Sequence, residues 1–127
     1  MKKEKIRIEY NLNNISLIIL WNSISTPSGL CDWSADDVSI SGKIYTFTWN
    51  GTEQKAELIV SRTGYYIRFH WLDDDDAKTY FEFKINPDEL TGNITLIITD
   101  YALPEEKEDT INLWNKQVDD LKRRAGV

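Results

Sequence analysis

The sequence has very few of the side chains on which metal sites and nucleophilic catalysis depend. It contains one cysteine, Cys31, and one histidine, His70, in 127 residues. A single cysteine excludes an internal disulfide and any zinc or iron–sulfur site built from several cysteines, and it is typical of proteins in a reducing compartment. We therefore expect the protein in the cytoplasm, and we expect neither a metal nor another cofactor.

Long apolar runs and an excess of positive charge are also missing. The longest apolar run, residues 17–21, is far below the roughly 18 to 20 residues that a membrane span requires. Apolar and polar residues already alternate from Ile6 onward, so we expect no signal peptide. The formal net charge of −6 repels the phosphates of nucleic acids on average. Membranes and nucleic acids are therefore not expected as partners.

Aromatic and other hydrophobic side chains, in contrast, are plentiful. Hydrophobic residues make up 41% of the chain and aromatic residues 12%, including five tryptophans, which is typical of a folded protein. A chain of this length forms one domain of ordinary size. We therefore expect a single domain, residues 1–127, with one core in which the aromatic rings pack.

Hydrophobic periodicity predicts the order of the elements. Alternation over residues 6–12 predicts a strand. Ser16 can cap a helix that extends to Ser25, and Thr26-Pro27 starts a second, short helical turn. Residues 38–101 then alternate strands with tight turns, which predicts about six strands. Pro104 starts a terminal helix. Its apolar stripe consists of Ile111, Trp114, Val118, Leu121 and Ala125.

The Asn50-Gly51 dipeptide fixes the faces of the predicted sheet, because Asn-Gly supplies the two residues with positive φ that a type I′ hairpin turn needs. A two-residue loop pairs Trp49 with Thr52 and Tyr45 with Ala56. The inward positions on this register and its continuation are apolar or aromatic. They are Tyr45, Phe47, Trp49, Ala56, Leu58, Val60, Tyr65, Ile67, Phe69, Trp71, Phe81, Phe83, Ile85, Leu96 and Ile98.

A curved sheet with an apolar concave face must be covered by another element. The terminal helix is the only long apolar helix in the predicted order, so it must lie against that face. We therefore predict an α+β helix-grip fold with the order β-α-α-β6-α. In this fold a curved antiparallel sheet wraps around the long C-terminal helix.

A short motif after the first predicted helix supports this fold. It consists of Thr26, Pro27, Gly29, Leu30 and Trp33. With this motif, the element order and a tryptophan in the last helix, residues 4–125 resemble the START-like superfamily, also called SRPBCC. Within it, the chain is similar to small bacterial proteins that resemble the C-terminal domain of the heat-shock-chaperone ATPase activator. Members often have phenylalanine after the motif tryptophan, where this chain has Ser34, so packing there is expected to differ.

The resemblance implies a cavity between the sheet and the terminal helix, which some relatives use for lipids, sterols, polyketides or other apolar molecules. The candidate ligand-binding residues are the aromatic residues predicted to converge there. They are Trp33, Tyr45, Phe47, Phe69, Trp71, Phe81, Phe83 and Trp114. So many rings can also simply fill the core, and the sequence leaves both roles open. We predict a non-enzymatic domain that binds a small apolar or amphipathic molecule.

No pattern in the sequence predicts catalysis. His70 faces outward, so we expect a surface or hydrogen-bonded structural role for it. Cys31 precedes an acidic residue, which disfavours a reactive thiolate. Residues 73–76 are four aspartates, but they lack the glycine and the distal glutamate of an EF-hand loop, and a solvated turn is expected. The inward positions carry almost no ionisable side chains, so no carboxylate pair for acid–base chemistry is expected.

The outward face offers an alternative function. Its row of mixed aromatic and charged side chains consists of Tyr66, Arg68, His70, Tyr80, Glu82 and Lys84, with Ile44, Ile59 and Ile97 beside them. Such a mixture suits a protein interface as well as an ordinary exposed sheet. The alternative is therefore a protein-interaction module that uses the outer face, either like the chaperone activator or as a homodimer.

Overall fold

The computed structural model describes residues 2–13 and 15–127 and has the predicted order of elements. Three helices flank and cover one sheet: α1 (Leu17–Ser25), α2 (Pro27–Cys31) and α3 (Lys107–Ala125), with a 3₁₀ turn at Pro104–Glu106 before α3. The strands are β1 (Glu4–Leu12), β2 (Asp37–Ser41), β3 (Ile44–Trp49), β4 (Thr52–Arg62), β5 (Tyr66–Trp71), β6 (Phe81–Pro87) and β7 (Ile94–Ala102).

All neighbouring strands pair antiparallel in one seven-stranded sheet with the order β1-β7-β6-β5-β4-β3-β2. The curved sheet and the long terminal helix confirm the predicted α+β helix-grip fold. Sequential strands β2 to β7 pair as a meander, whereas β1 joins the sheet beside β7. Residues from the two ends of the chain therefore lie at the same side of the sheet.

The hairpin between β3 and β4 has the predicted register. Trp49 pairs with Thr52 and Tyr45 pairs with Ala56. Asn50 and Gly51 have φ angles of 50° and 81°, the positive values that a type I′ turn requires at both central positions. The turn thereby places Tyr45 and Phe47 on the concave face, where both side chains are buried.

Within β4, the predicted alternation is wrong beyond Leu58, because this strand contains a bulge. The register with β5 shifts between Leu58 and Val60, so that Leu58 pairs with Phe69 but Val60 pairs with Arg68. The extra residue turns Val60 to the outer face, where it is 38% exposed. Tyr65 was also predicted to face inward, but it precedes β5 and is 51% exposed.

The Thr-Pro-x-Gly-Leu-x-x-Trp motif forms the tight corner between α1 and α2. The Thr26 hydroxyl caps α2 by accepting a hydrogen bond from the Gly29 N–H at 3.0 Å, and Pro27 occupies the first turn. A Cβ on Gly29 would lie 2.0 Å from the backbone oxygen of Asn22 in α1. The Trp33 indole donates to the Ser23 carbonyl at 2.7 Å. The motif therefore joins two short helices at a distance that only glycine permits.

Helix α3 lies against the concave face through the predicted stripe. Val118 and Leu121 are buried, and Trp114 is partly buried with its ring centroid 5.6 Å from that of Phe83 on β6. The last turn of α3 carries three basic side chains, whose positive charges interact favourably with the negative end of the helix dipole. Gly126 ends the helix in the left-handed conformation, with φ 76°.

Candidate functional site

An open cleft of about 460 Å³ lies between the concave face and the N-terminal half of α3. The sheet contributes residues near the ends of β3, β5 and β7, and the helix contributes four residues from its second and third turns. The apolar lining residues are Trp49, Trp71, Leu113 and Trp114. The polar ones include Lys3, Gln54, Asp74, Thr79, Asp100 and Gln117. The cleft thus combines an aromatic interior with a polar, charged rim.

Two tryptophans of the sheet form one wall of the cleft. The ring centroids of Trp49 and Trp71 are 6.1 Å apart. Behind them, Phe47 stacks on Trp49 at 5.7 Å and Phe81 stacks on Trp71 at 4.7 Å. The Trp49 indole also donates to the Ser34 carbonyl at 2.8 Å. The core therefore fixes both rings from behind while they remain partly exposed to the cleft.

The helix forms the opposite wall. The rings of Trp114 and Phe83 pack in a T-shaped arrangement, and the neighbouring residue Leu113 is 56% exposed. The Trp114 indole donates a 2.9 Å hydrogen bond to Asp100 Oδ2. This bond connects α3 to β7 and fixes the orientation of the indole. The two walls are thus rigid apolar surfaces that face a shared space.

Asp74 and Lys3 form an ion pair at the rim. Lys3 Nζ lies 2.9 Å from Asp74 Oδ2, and the same oxygen accepts a bond from the Thr79 hydroxyl at 2.7 Å. The other oxygen accepts from the Asp76 N–H at 3.0 Å. Burial opposes ionisation of Asp74, but these hydrogen bonds outweigh it and lower its pKa to about 2. Asp74 is therefore a fixed negative charge.

Asp100 is the second carboxylate of the cleft. It lies on β7 opposite Ile6, and its oxygens accept bonds from the Trp114 indole at 2.9 Å and from the Tyr101 N–H at 2.8 Å. Burial raises the pKa of Asp100, and those two hydrogen bonds together with the positive charge of Lys3 only partly oppose the rise. Asp100 is thus an ionisable side chain of the inward face that was not among the predicted inward positions.

Alternation along β7 is the signal that predicts Asp100, because Leu96, Ile98 and Asp100 follow each other at period two. The predicted inward row ended at Ile98 and therefore did not include Asp100. No comparable local signal exists for Lys3 and Asp74, since 71 residues separate them along the chain.

The eight predicted ligand-binding residues separate into two groups. Trp71 and Trp114 line the cleft. The other six are buried in the core behind it: Trp33, Tyr45, Phe47, Phe69, Phe81 and Phe83. Phe69 contacts four of these rings and has no exposed surface. Trp49 and Leu113, which were not among the predicted residues, complete the apolar lining. A role of any of them in ligand binding stays a prediction.

The other candidate residues have structural partners. His70 Nδ1 lies 2.8 Å from the Thr79 carbonyl, and Cys31 Sγ lies 3.3 Å from the Asp36 carbonyl. In the segment of residues 73–76, carboxylates accept backbone N–H bonds within the turn. Over residues 2–13 and 15–127, no group of three or more His, Cys, Asp or Glu side chains could hold a metal ion.

The outer face of the sheet is partly covered by its own side chains. Arg68 pairs with Glu82 at 2.8 Å, and its guanidinium lies 3.9 Å from the ring centroid of Tyr80. Glu82 and Ile97 are buried, although both were predicted to be outward and exposed. Both do lie on the outer face, where neighbouring side chains shield them.

No helix in the described part of the chain has the length and apolar character to cross a membrane. A family model described as a START-like superfamily domain matches residues 1–127. This match confirms the resemblance predicted from the sequence. No curated protein matches the chain.

Solved structures match nearly the whole chain. A Bacteroides fragilis protein with a solution NMR structure is 48% identical, with a TM-score of 0.70 and coverage of 98% of this chain and 92% of that one. The Aha1 dimer from Colwellia psychrerythraea is 14% identical, with a TM-score of 0.80 and 96% of each chain covered. An uncharacterised Bacillus thuringiensis protein is 9% identical, with a TM-score of 0.78 and coverage of 98% and 100%. The last two similarities show the fold alone.

Proposed function

Because the chain belongs to the START-like superfamily, we propose that it is a non-enzymatic domain that binds a small amphipathic molecule in the cleft between the sheet and α3. The aromatic walls hold the apolar body of the ligand, and the charged rim holds its polar end. The single cysteine suits such a role in the cytoplasm.

The main observation that supports this proposal is that two walls with tryptophan side chains face each other across an open cleft. Trp49 and Trp71 on the sheet and Trp114 on the helix are supported from behind by buried rings. A volume of about 460 Å³ falls within the range of roughly 300–1,000 Å³ that is usual for small-molecule sites. Aromatic surfaces fixed in this way lose little conformational entropy when a ligand covers them.

The states of the carboxylates favour binding over catalysis. A general acid or base works best when its pKa lies near the operating pH, whereas the pKa of Asp74 is about 2. Asp100 already accepts the Trp114 indole and the Tyr101 N–H, which suits a positioning role. The one histidine, His70, is on the outer face and 2.8 Å from a backbone carbonyl.

A fluorescence titration with the neutral probe N-phenyl-1-naphthylamine tests this proposal. The variant Leu113→Glu introduces a charge into the cleft at a position that is 56% exposed, so the fold is expected to remain intact. Desolvating that carboxylate should weaken probe binding by about tenfold or more. The matched control is Asn112→Glu, at the exposed neighbouring helix position outside the cleft lining. Absence of probe binding to the wild type, or equal loss in both variants, would reject the proposal.

A second candidate function is a homodimeric or other protein-interaction module on the outer face. The observation that favours it is the bulge, which places Val60 beside Tyr66, Arg68 and Lys84 around a shallow depression of about 220 Å³. The Colwellia psychrerythraea neighbour is described as a dimer, which makes self-association the form to test first.

Sedimentation velocity over a range of concentrations tests this candidate. We expect a wild-type dimer to dissociate in the double variant Tyr66→Ala, Lys84→Glu, which leaves the Arg68–Glu82 pair intact. A protein that sediments as a monomer at every concentration would reject the homodimer.

A further inference from the structure

The charges around the cleft do not balance. Among the described lining residues there are two carboxylates, Asp74 and Asp100, and one ammonium group, Lys3. Lys3 Nζ is 2.9 Å from Asp74, so this pair is neutral as a unit. Among the described residues, the hydrogen-bond donors to Asp100 are both neutral, the Trp114 indole and the Tyr101 N–H. The charge of Lys3 also acts on Asp100, but the ammonium group forms its ion pair with Asp74. The remaining charge of the cleft is therefore negative.

Asp100 also has unused capacity to accept hydrogen bonds. An ionised carboxylate offers about four lone-pair sites, and each Asp100 oxygen accepts one bond from the described residues. Burial destabilises the charged form of Asp100 and raises its pKa. A buried carboxylate is stabilised by a cation within hydrogen-bond reach. A ligand that supplies one would offset the desolvation of this side chain.

The tryptophan walls also favour a positively charged ligand. The face of an indole ring attracts cations through its quadrupole and repels anions, and tryptophan has the strongest such effect among the aromatic residues. Three of the cleft-lining side chains are tryptophans: Trp49, Trp71 and Trp114. Trp114 also donates its indole N–H to Asp100, so one wall and the carboxylate are part of a single arrangement.

We propose that the molecule held in the cleft is a cationic amphiphile whose amine or ammonium end lies at Asp100 and whose apolar body lies between the tryptophan walls. This inference rests on the proposed function, because it specifies the ligand of the same cleft. An anionic amphiphile would meet Asp100 with no free cation among the described lining residues, since Lys3 is already paired. A fatty-acid-like ligand is therefore disfavoured.

Three probes with the same apolar body and different ends test the charge preference. Octylammonium, 1-octanol and octanoate are titrated at neutral pH and followed by tryptophan fluorescence and calorimetry. We expect octylammonium to bind about tenfold or more tightly than octanoate, with 1-octanol between them. Equal binding of all three, or tighter binding of octanoate, would overturn the inference and leave the proposed function standing. Failure of all three to bind would overturn both.

The variant Asp100→Asn tests the residue assigned to the ammonium group. It removes the charge but keeps an oxygen that can accept the Trp114 indole N–H. We expect the affinity for octylammonium to fall about tenfold and the affinity for the uncharged 1-octanol to fall by a clearly smaller factor. Glu53→Gln is the matched control, because it makes the same change in charge at an exposed position outside the cleft lining. Unchanged octylammonium binding in Asp100→Asn, or equal loss in the control, would overturn the assignment.

Discussion

Gly29→Ala is the sharpest test of how the fold positions its elements. The added Cβ would lie 2.0 Å from the Asn22 carbonyl oxygen and 2.8 Å from the Ser23 Cα. Both atoms belong to the backbone of α1, so no side-chain rotation relieves the clash and the two helices must separate. Overpacking of this kind costs about 3 kcal/mol, and alanine recovers about 1 kcal/mol through its better helix propensity. The net expected destabilisation is about 2 kcal/mol.

Urea unfolding followed by tryptophan fluorescence measures this change, and thermal unfolding should show a melting temperature about 8 °C lower for a chain of this size. The shift of α2 should also lengthen the bond from the Trp33 indole to the Ser23 carbonyl, now 2.7 Å. Ser28→Ala, at the exposed preceding position of α2, is the control and should change stability by less than about 0.5 kcal/mol. A Gly29→Ala protein as stable as the wild type would refute the close approach of α1 and α2.

Further predictions concern hydrogen-bonded groups. The folded-state pKa of Asp74, about 2, lies below the ordinary value of 3.8 for this group. The stability that the ionised carboxylate contributes to the folded protein is therefore complete above about pH 4 and is lost as the pH falls toward 2. Asp74→Asn should therefore lower the free energy of unfolding by about 1 kcal/mol at pH 6, after allowance for solvent screening, and by almost nothing at pH 2. Urea unfolding at the two pH values measures this difference. An equal loss of stability at pH 6 and pH 2 would contradict the prediction. Tyr45→Phe removes the hydroxyl that donates to the Ser25 carbonyl at 3.0 Å. It should lower the free energy of unfolding by about 1 kcal/mol in the same assay. A variant more stable than the wild type would contradict a stabilising role of this hydrogen bond.

Local patterns were sufficient to predict the elements and most of the sheet. The Asn50-Gly51 turn determines the register of the hairpin, because a two-residue loop with positive φ at both positions permits one geometry. Trp49 and Thr52 pair in that register in the structure. The stripe on α3 likewise predicts that Val118 and Leu121 are buried. In both cases the deciding interactions lie within a few residues of each other.

The bulge and the cleft could not be predicted in this way. The bulge before Val60 depends on how β4 pairs with β5, and alternation within one strand contains no sign of it. The ion pair of Lys3 and Asp74 forms only because β1 closes the sheet beside β7. Whether an inward aromatic residue lies in the core or in the cleft depends on where α3 crosses the sheet, which is a property of the whole fold.

Indole N–H resonances measure ligand binding in the cleft most directly, because the five tryptophans of the chain divide between the cleft and other sites. In a ¹H–¹⁵N correlation spectrum titrated with 1-octanol, we expect the indole signals of Trp49, Trp71 and Trp114 to shift together. The signals of Trp21 and Trp33, which do not line the cleft, should stay in place. Shifts confined to Trp21 or Trp33, or no shift up to the solubility limit of the alcohol, would contradict a ligand site between the sheet and α3.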